Sequence, residues 1–171
     1  MTSKLAFVAR FLAVFALLIV AGWLTSAPTR YAAALRVAAS VTSPLANGWS
    51  LEERTPSGGR QQIWFRRGTE EMRLGLSLDA LALGLLPLLA LLAATPGLGL
   101  ARLAGRAAIG IGGLFTLDLL VLLLYPALVG SPNAFTDIAG TFLGLLTFVG
   151  GPVILWFALT FRELRSVWRL K

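Results

Sequence analysis

The sequence contains no cysteine and no histidine, and its only lysines are Lys4 and Lys171. Without these side chains the chain has no thiol nucleophile, no disulfide, no thiolate or imidazole metal ligand and no histidine general base. Charged residues make up only 13% of the 171 residues, compared with about 25% in a typical soluble domain. We therefore expect no catalytic residues, no metal and no cofactor, and we predict that the protein is not an enzyme.

Apolar residues are abundant instead. They reach 57% of the chain, and the mean hydropathy is +0.79, which indicates an integral membrane protein. The net charge of +7 could indicate nucleic-acid binding, but the basic residues mostly flank the apolar runs. Membrane topology explains that placement better, so we predict a lipid bilayer as a partner and no nucleic acid.

Four apolar runs are each long enough to cross about 30 Å of hydrocarbon as a helix. They span residues 5–24, 74–94, 107–129 and 138–161. The first resembles a signal peptide, but the best cleavage position, after Ala27, precedes a proline, so we predict an uncleaved anchor. The sequence thus predicts an all-α transmembrane bundle of about four helices.

An extramembrane segment interrupts the predicted bundle and divides the chain into three parts. Residues 1–27 form the first anchor, residues 28–73 an extracytoplasmic insertion, and residues 74–171 a three-helix transmembrane region with a basic cytoplasmic tail. Basic residues in short connections favour the cytoplasmic side. On this rule we predict a multi-pass protein of the bacterial inner (cytoplasmic) membrane with both termini in the cytoplasm. The deciding positions are Lys4, Arg10, Arg102, Arg106, Arg162, Arg165, Arg169 and Lys171.

Residues 28–46 are predicted to form an amphipathic helix, because a proline opens this segment and an Asn-Gly pair follows its end. Apolar positions at three- and four-residue spacing form a thin stripe on one side. The stripe either lies in the lipid headgroup region or packs on the rest of the insertion. Its members are Tyr31, Leu35, Ala38, Thr42 and Leu45.

The rest of the insertion has the pattern of a small β-sheet. Residues 49–54 and 60–67 flank a turn rich in glycine and proline and are predicted to form a hairpin, with residues 70–74 as a third strand. A sheet of two or three strands does not stand alone. We therefore expect it to rest on the amphipathic helix, on the bilayer or on a partner protein.

The expected hairpin register brings four apolar side chains to one face. Leu51 is predicted to face Ile63, and Trp49 to face Phe65. This face is a candidate contact with a protein partner. The alternative is that it covers only the chain's own helix.

Two aspartates in the apolar runs are candidate functional residues. Asp118 lies near the middle of the third run, where a lone carboxylate is costly and is a functional hypothesis by default. It could carry protons, hold a cation or pair with a partner's arginine. Alternatively, it is a protonated carboxyl bonded to Thr141, Thr147 or a backbone carbonyl. Asp79 lies near the outer end of the second run, where the alternative is a solvated helix N-terminus.

Small residues in the fourth run predict close helix contacts and a break. Gly140 and Gly144 are four residues apart and are candidate partner contacts. The sequence Gly150-Gly151-Pro152 should kink or interrupt the helix and free backbone carbonyls at membrane depth. Such breaks either line a substrate site or are tolerated kinks.

The order of one anchor, an outer helix, a hairpin and three membrane helices resembles the exosortase H-associated membrane proteins. The local matches are residues 84–92 (GLLPLLALL), 152–156 (PVILW) and 161–165 (FRELR). The resemblance implies a partner of a membrane transpeptidase that processes sorting-tagged proteins at the outer face. Exosortases rely on cysteine, arginine and histidine, so this chain could only assist such an enzyme.

Three functions follow from these observations. The first is a non-catalytic accessory subunit of a membrane protein complex, assisting an exosortase-type transpeptidase. The second is a small transporter or ion-conducting subunit that uses Asp118 and the broken fourth helix. The third is an enzyme on lipid-linked substrates, which would need Asp79 and the outer arginines clustered in one polar pocket.

Overall fold

The computed structural model describes residues 3–55, 62–74, 77–128, 142–143 and 146–168. The described chain is mostly helical and carries one small antiparallel sheet. The helices are α1 (Ser3–Thr25), α2 (Ala27–Asn47), α3 (Leu78–Ala82), α4 (Leu85–Ala94), α5 (Leu100–Leu128) and α6 (Gly151–Trp168). A π-helical turn (Leu146–Gly150) leads directly into α6. The strands are β1 (Ser50–Arg54), β2 (Gln62–Arg67) and β3 (Glu70–Leu74).

Two of the described helices are long and apolar enough to cross a membrane. Their apolar stretches are Leu5–Thr25 in α1 and Leu100–Pro126 in α5. A shorter apolar stretch, Leu78–Ala94, contains α3 and α4. The predicted mostly helical chain with a small inserted sheet is confirmed, and the two apolar helices agree with membrane association.

Helix α2 begins and ends at the predicted signals. Ser26, between α1 and α2, has a φ of 53°, in the left-handed region that non-glycine residues seldom adopt. Its carbonyl accepts the first hydrogen bond of α2, from the Arg30 N–H at 3.0 Å. Pro28 occupies the first turn, where its missing N–H costs nothing. Gly48, with a φ of 73°, closes the helix by donating to the Pro44 carbonyl.

The buried stripe of α2 follows the predicted one only in its first half. Tyr31 and Leu35 are buried as expected, but burial then continues at Ala39 and Ser43. Leu45 is exposed on the opposite side, and Ala38 and Thr42 are half-buried. The buried side packs against α5, α3 and β1. Of these contacts, the one with β1 lies within the insertion, as the second alternative predicted, whereas α3 and α5 lie outside it.

The three predicted strands are present, in the order β1-β2-β3. The third strand has the predicted limits, but the hairpin register is displaced by two residues. Leu51 pairs with Phe65 rather than with Ile63, which pairs with Glu53. The predicted register was wrong because it assumed a tight turn, whereas residues 55–61 connect Arg54 to its partner Gln62. Because the displacement is even, each side chain stays on the predicted face. Residues 56–61 lie outside the described chain.

The second apolar run is not one helix, contrary to the prediction. Its first residue, Leu74, ends β3, and the described residues from Leu78 to Ala94 form α3 and α4. Ser77 caps α3 by accepting a hydrogen bond from the Ala80 N–H at 3.1 Å. The break between α3 and α4 falls at Leu83, four residues before Pro87. A proline has no N–H and its ring crowds the carbonyl four residues earlier, so a continuous helix is disfavoured there.

The third and fourth runs form helices that extend further into the basic segments than predicted. α5 begins at Leu100, so Arg102 and Arg106 lie inside the helix rather than in the preceding loop. The helix geometry changes at the predicted place, since the π-helical turn ends at Gly150 and α6 continues from Gly151. The predicted kink or interruption stays a prediction. Gly140 and Gly144 lie outside the described residues, so their predicted partner contact stays a prediction.

Glycines allow the helices to approach closely, and two of these places show how. A Cβ atom on Gly113 of α5 would lie 3.0 Å from a methyl carbon of Leu155 in α6. A Cβ atom on Gly84, at the α3–α4 break, would lie 3.2 Å from the Thr147 carbonyl oxygen in the π-helical turn. The α3–α4 break therefore packs against the π-helical turn, and a side chain at Gly84 would crowd this contact.

Two adjacent glycines of α5 give a test of this packing. A leucine at Gly113 should push α6 away and lower the free energy of unfolding by about 1–3 kcal/mol, as overpacked cores do. A leucine at Gly112, where a Cβ meets nothing within 4 Å, should be tolerated. The midpoints of thermal unfolding of G113L and G112L, followed by circular dichroism in a mild detergent, check this. Equal midpoints would contradict the α5–α6 contact.

Candidate functional site

The buried carboxyl of Asp118 is bonded to a side chain from α2. The Tyr31 hydroxyl donates to Oδ2 of Asp118 at 2.7 Å, and both residues are buried. The Tyr31 ring also meets Phe115 edge-on, with the ring centroids 5.7 Å apart. Of the partners predicted for Asp118, Thr147 donates instead to the Leu143 carbonyl at 3.0 Å, and residue 141 lies outside the described chain. The predicted set missed the actual partner because Tyr31 is 87 residues away in the sequence.

The second oxygen of Asp118 has a different environment. Oδ1 is buried and has no hydrogen-bond partner among the described residues. One oxygen is therefore held by a strong donor, while the other can accept a further hydrogen bond or hold a proton. Carrying protons, the first role predicted for Asp118, requires a carboxyl of this kind at a fixed position in α5.

The second tyrosine of the chain also joins the outer segment to α5. The Tyr125 hydroxyl donates to the Arg73 carbonyl at 3.1 Å, at the end of β3. The Tyr125 ring packs against Phe65 of β2, with the centroids 5.8 Å apart. The sequence has only two tyrosines, and both link α5 to the segment that precedes α3. We call these two links the tyrosine contacts.

The apolar face of the hairpin is covered by the chain itself. Trp49, Ile63 and Phe65 are buried, and Leu51 is half-buried. The guanidinium of Arg67 lies 4.6 Å from the centre of the Trp49 ring and covers the edge of the sheet at Trp49. These four residues were predicted as partner contacts or as cover for the chain's own helix. The structure places them in the second arrangement, because α2 and α5 occupy the space in front of the face.

Asp79 lies at the junction of α2, β1 and α3. It is exposed, in the first turn of α3, where a carboxylate favours the helix dipole. Nearby, the carboxylate of Glu53 forms an ion pair with Arg36 of α2. Burial raises the pKa of Glu53, the Arg36 charge opposes this rise, and the Asp79 charge adds to it. Asp79 thus lies at a solvated helix N-terminus, which was the predicted alternative to a functional role.

The outer face of the sheet carries a network that the sequence analysis did not identify. Arg54 of β1 donates to Glu52 at 2.7 Å and to Glu71 of β3 at 2.9 Å. Its guanidinium lies 5.2 Å from the centre of the Trp64 ring in β2. These bonds lower the pKa of Glu71 below its usual range. The predicted hairpin register already placed Glu52, Arg54 and Trp64 on one face, and the missing signal was the pairing of β3 with β2, which brings Glu71 to the same face.

The opposite end of the helices is joined by three further contacts. Arg106 of α5 donates to Glu163 of α6 at 2.5 Å. The Trp156 indole N–H donates to the Thr95 hydroxyl at 2.9 Å, and the Phe7 ring of α1 stacks on Trp156 with the centroids 5.6 Å apart. Polar side chains thus tie α4, α5 and α6 together at the end where the sequence predicts the cytoplasm.

The Tyr31–Asp118 bond can be measured by a double-mutant cycle. Y31F should lower the free energy of unfolding by about 1–3 kcal/mol, because it leaves a buried carboxyl without its donor. D118N should cost less, since an amide oxygen still accepts from Tyr31. D118L is the second single variant of the cycle, and the combined variant Y31F/D118L should cost less than the sum of Y31F and D118L. T116A, which changes an exposed hydroxyl two residues from Asp118, is the control. Additive effects in urea or detergent unfolding would refute the coupling.

Within the described residues, no group of three or more acidic side chains is placed to hold a metal ion. Among the described residues, Asp79 forms no ion pair with an arginine of the outer segment, and residue 60 lies outside the described chain, so the clustered pocket of the third function stays a prediction. The candidate site is therefore the pair formed by Tyr31 and Asp118, together with the outer segment that it holds. Comparison with protein-family models, curated sequences and solved structures finds no match for this chain.

Proposed function

We propose that the chain is a multi-pass protein of the bacterial cytoplasmic membrane with four membrane-crossing segments and both termini in the cytoplasm. α1 and α5 supply two crossings. α3 and α4 together cover Leu78–Ala94, about 25 Å at the helical rise, and the π-helical turn with α6 covers residues 146–168, about 34 Å. These lengths suit a bilayer with about 30 Å of hydrocarbon.

Within that membrane, the protein acts as a non-catalytic accessory subunit that presents the outer segment to a partner. The supporting observation is that the acidic side chains of this segment are ion-paired. Every glutamate of the described outer segment is ion-paired with an arginine, so no carboxylate there is free for acid–base work. The paired glutamates are Glu52, Glu53, Glu70 and Glu71.

Some arginines of the same segment have no such partner. Arg66 and Arg73 lie on exposed strand positions, and neither forms an ion pair with a described residue. They are diagonal neighbours on the outer face of the sheet, because Arg66 pairs with Glu71 and Arg73 follows two residues later. A platform that is held rigidly by the tyrosine contacts and carries unpaired arginines suits an acidic protein surface. The resemblance described above makes an exosortase-type transpeptidase the first partner to test.

Purification of the tagged protein from its native membrane in a gentle detergent tests this role. We expect a membrane enzyme of the transpeptidase class in stoichiometric amount by mass spectrometry. R66A/R73A should reduce the co-purified amount at least several-fold without loss of folded protein. R162A/R165A removes the same charge from exposed positions of α6 and should leave the yield of partner unchanged. A protein that emerges alone, or only with itself, would exclude the accessory role.

A second function is favoured by one specific arrangement. The α3–α4 break packs on the π-helical turn at Gly84 and Thr147, and α5, which carries Asp118, packs on the same turn. Broken helices beside a buried carboxyl are typical of sites that carry ions or protons through a membrane. The alternative is therefore a small transporter or ion-conducting subunit that uses Asp118.

Flux into vesicles that contain the purified protein distinguishes this alternative. If the protein conducts protons or cations, D118N should abolish the flux, because an amide cannot exchange a proton at this position. D79N removes a carboxylate from an exposed helix end and should leave the flux unchanged. The amide of D118N still accepts from Tyr31, so the variant should remain folded by gel filtration. Flux that is absent in the native protein, or equal in D118N, would end this alternative.

A further inference from the structure

Helix α2 has two apolar faces, and only one of them is covered. The buried face contains Tyr31 and Leu35 and packs on α5, α3 and β1. On the opposite side, Val37, Val41 and Leu45 are 64%, 59% and 83% exposed. Three bulky apolar side chains at four-residue spacing lie in one line on a helix surface. An amphipathic helix whose outer side faces water would have polar residues at these positions.

The contacts of Tyr31 place the start of α2 beside the apolar part of α5. Tyr31 touches both Phe115 and Asp118. At the other end of this stretch, Arg106 forms an ion pair with Glu163, as expected near a headgroup boundary. Asp118 is twelve residues further along the helix, about 18 Å at the helical rise. This is well short of the roughly 30 Å thickness of the hydrocarbon layer, so the first turns of α2 lie at acyl-chain depth.

The junction with α1 limits the position of α2 from the outer side of the membrane. The apolar stretch of α1 ends at Thr25, and α2 begins two residues later, after the left-handed Ser26. A Cβ atom on Gly22 would lie 3.7 Å from the Pro28 ring, so the start of α2 lies against the last turn of α1. α2 therefore leaves α1 at the outer end of a membrane-length helix and does not first pass through an extended linker.

We propose that the face formed by Val37, Val41 and Leu45, the outer stripe of α2, lies against lipid acyl chains of the outer leaflet. The stripe continues an apolar surface that is already present on the neighbouring helices. In α1, only 6% of the most apolar stretch is buried. In α5, Leu120 and Leu124 are also exposed, close beyond Asp118 in the sequence.

The charges of α2 are compatible with this position. Arg36 is held by Glu53, on the side that faces the sheet. Arg30 lies in the first turn on the exposed side, and its long aliphatic stem can carry the guanidinium to the phosphate layer. The lipid contact rests on the membrane placement given under the proposed function, and it adds a helix that lies in one leaflet and does not cross the bilayer.

The absence of cysteine permits a direct test with single introduced cysteines. V37C and V41C carry a nitroxide label on the outer stripe. L12C labels an exposed position of α1 that faces lipid in any membrane placement, and T69C labels the exposed turn between β2 and β3. Each labelled full-length protein is reconstituted into vesicles of phosphatidylethanolamine and phosphatidylglycerol. Power saturation then compares collisions with oxygen, which concentrates in lipid, and with a water-soluble nickel chelate.

The expected result is that V37C and V41C resemble L12C, with a ratio of oxygen to nickel collisions several-fold higher than that of T69C. A ratio equal to that of T69C would show that the stripe faces water, and the inference would be wrong. Low collision rates with both reagents would show that a protein, such as a second copy of this chain, covers the stripe, and this too would overturn it. If L12C also behaves like T69C, the membrane placement itself fails, so the two failures are distinguishable.

Discussion

The hydrogen bond from Tyr31 to Asp118 determines where the outer segment lies on the helices. A carboxyl inside an apolar helix needs a donor, because an unsatisfied buried charge is far more costly than the bond is stabilising. α5 supplies no suitable donor of its own near Asp118, and α2 brings one from 87 residues away. Once this bond is made, the position of α2 along α5 is set, and the strands that follow α2 must start beside Tyr125.

Ion pairs also join elements of the fold to one another. In a protein with few charged residues, most of the acidic groups of the described chain serve to join elements. Glu53 joins β1 to α2, Glu71 joins β3 to β1, and Glu163 joins α6 to α5. The exposed pair of Glu71 contributes little free energy of unfolding, while the pair of Glu163 is the one partly buried on both sides among these three. The arginines that remain unpaired are therefore the groups available for contacts outside the chain.

Local chemistry made part of this fold predictable from sequence. The start and end of α2 follow from Pro28 and Gly48, whose conformational preferences act over one turn. The limits of β3 and the change of helix geometry before Pro152 were predictable for the same reason. Other features depend on distant residues. The hairpin register is decided by the length of its connection and by packing on α5, which pattern alone does not give.

The candidate site shows the same division. Asp118 could be identified from its position in an apolar run, since any carboxylate there is unusual. Its partner could not, because a tyrosine on an amphipathic helix has no sequence feature that distinguishes a polar contact from ordinary packing. The outer stripe of α2 was also missed, since the helix was expected to have one apolar side. Only the observed burial of Ala39 and Ser43, with Leu45 exposed, separates the two faces.

In the proposed membrane placement, the shortness of α4 has a consequence for the surrounding lipid. Most of its residues are enclosed by α1, α5 and α6, so acyl chains meet those helices and not α4. A ten-residue helix exposed to lipid would thin the bilayer around it or tilt its neighbours. Because α4 is enclosed, it neither thins the bilayer nor tilts its neighbours. The thickness that the membrane adopts near the protein is then determined by α1 and α5.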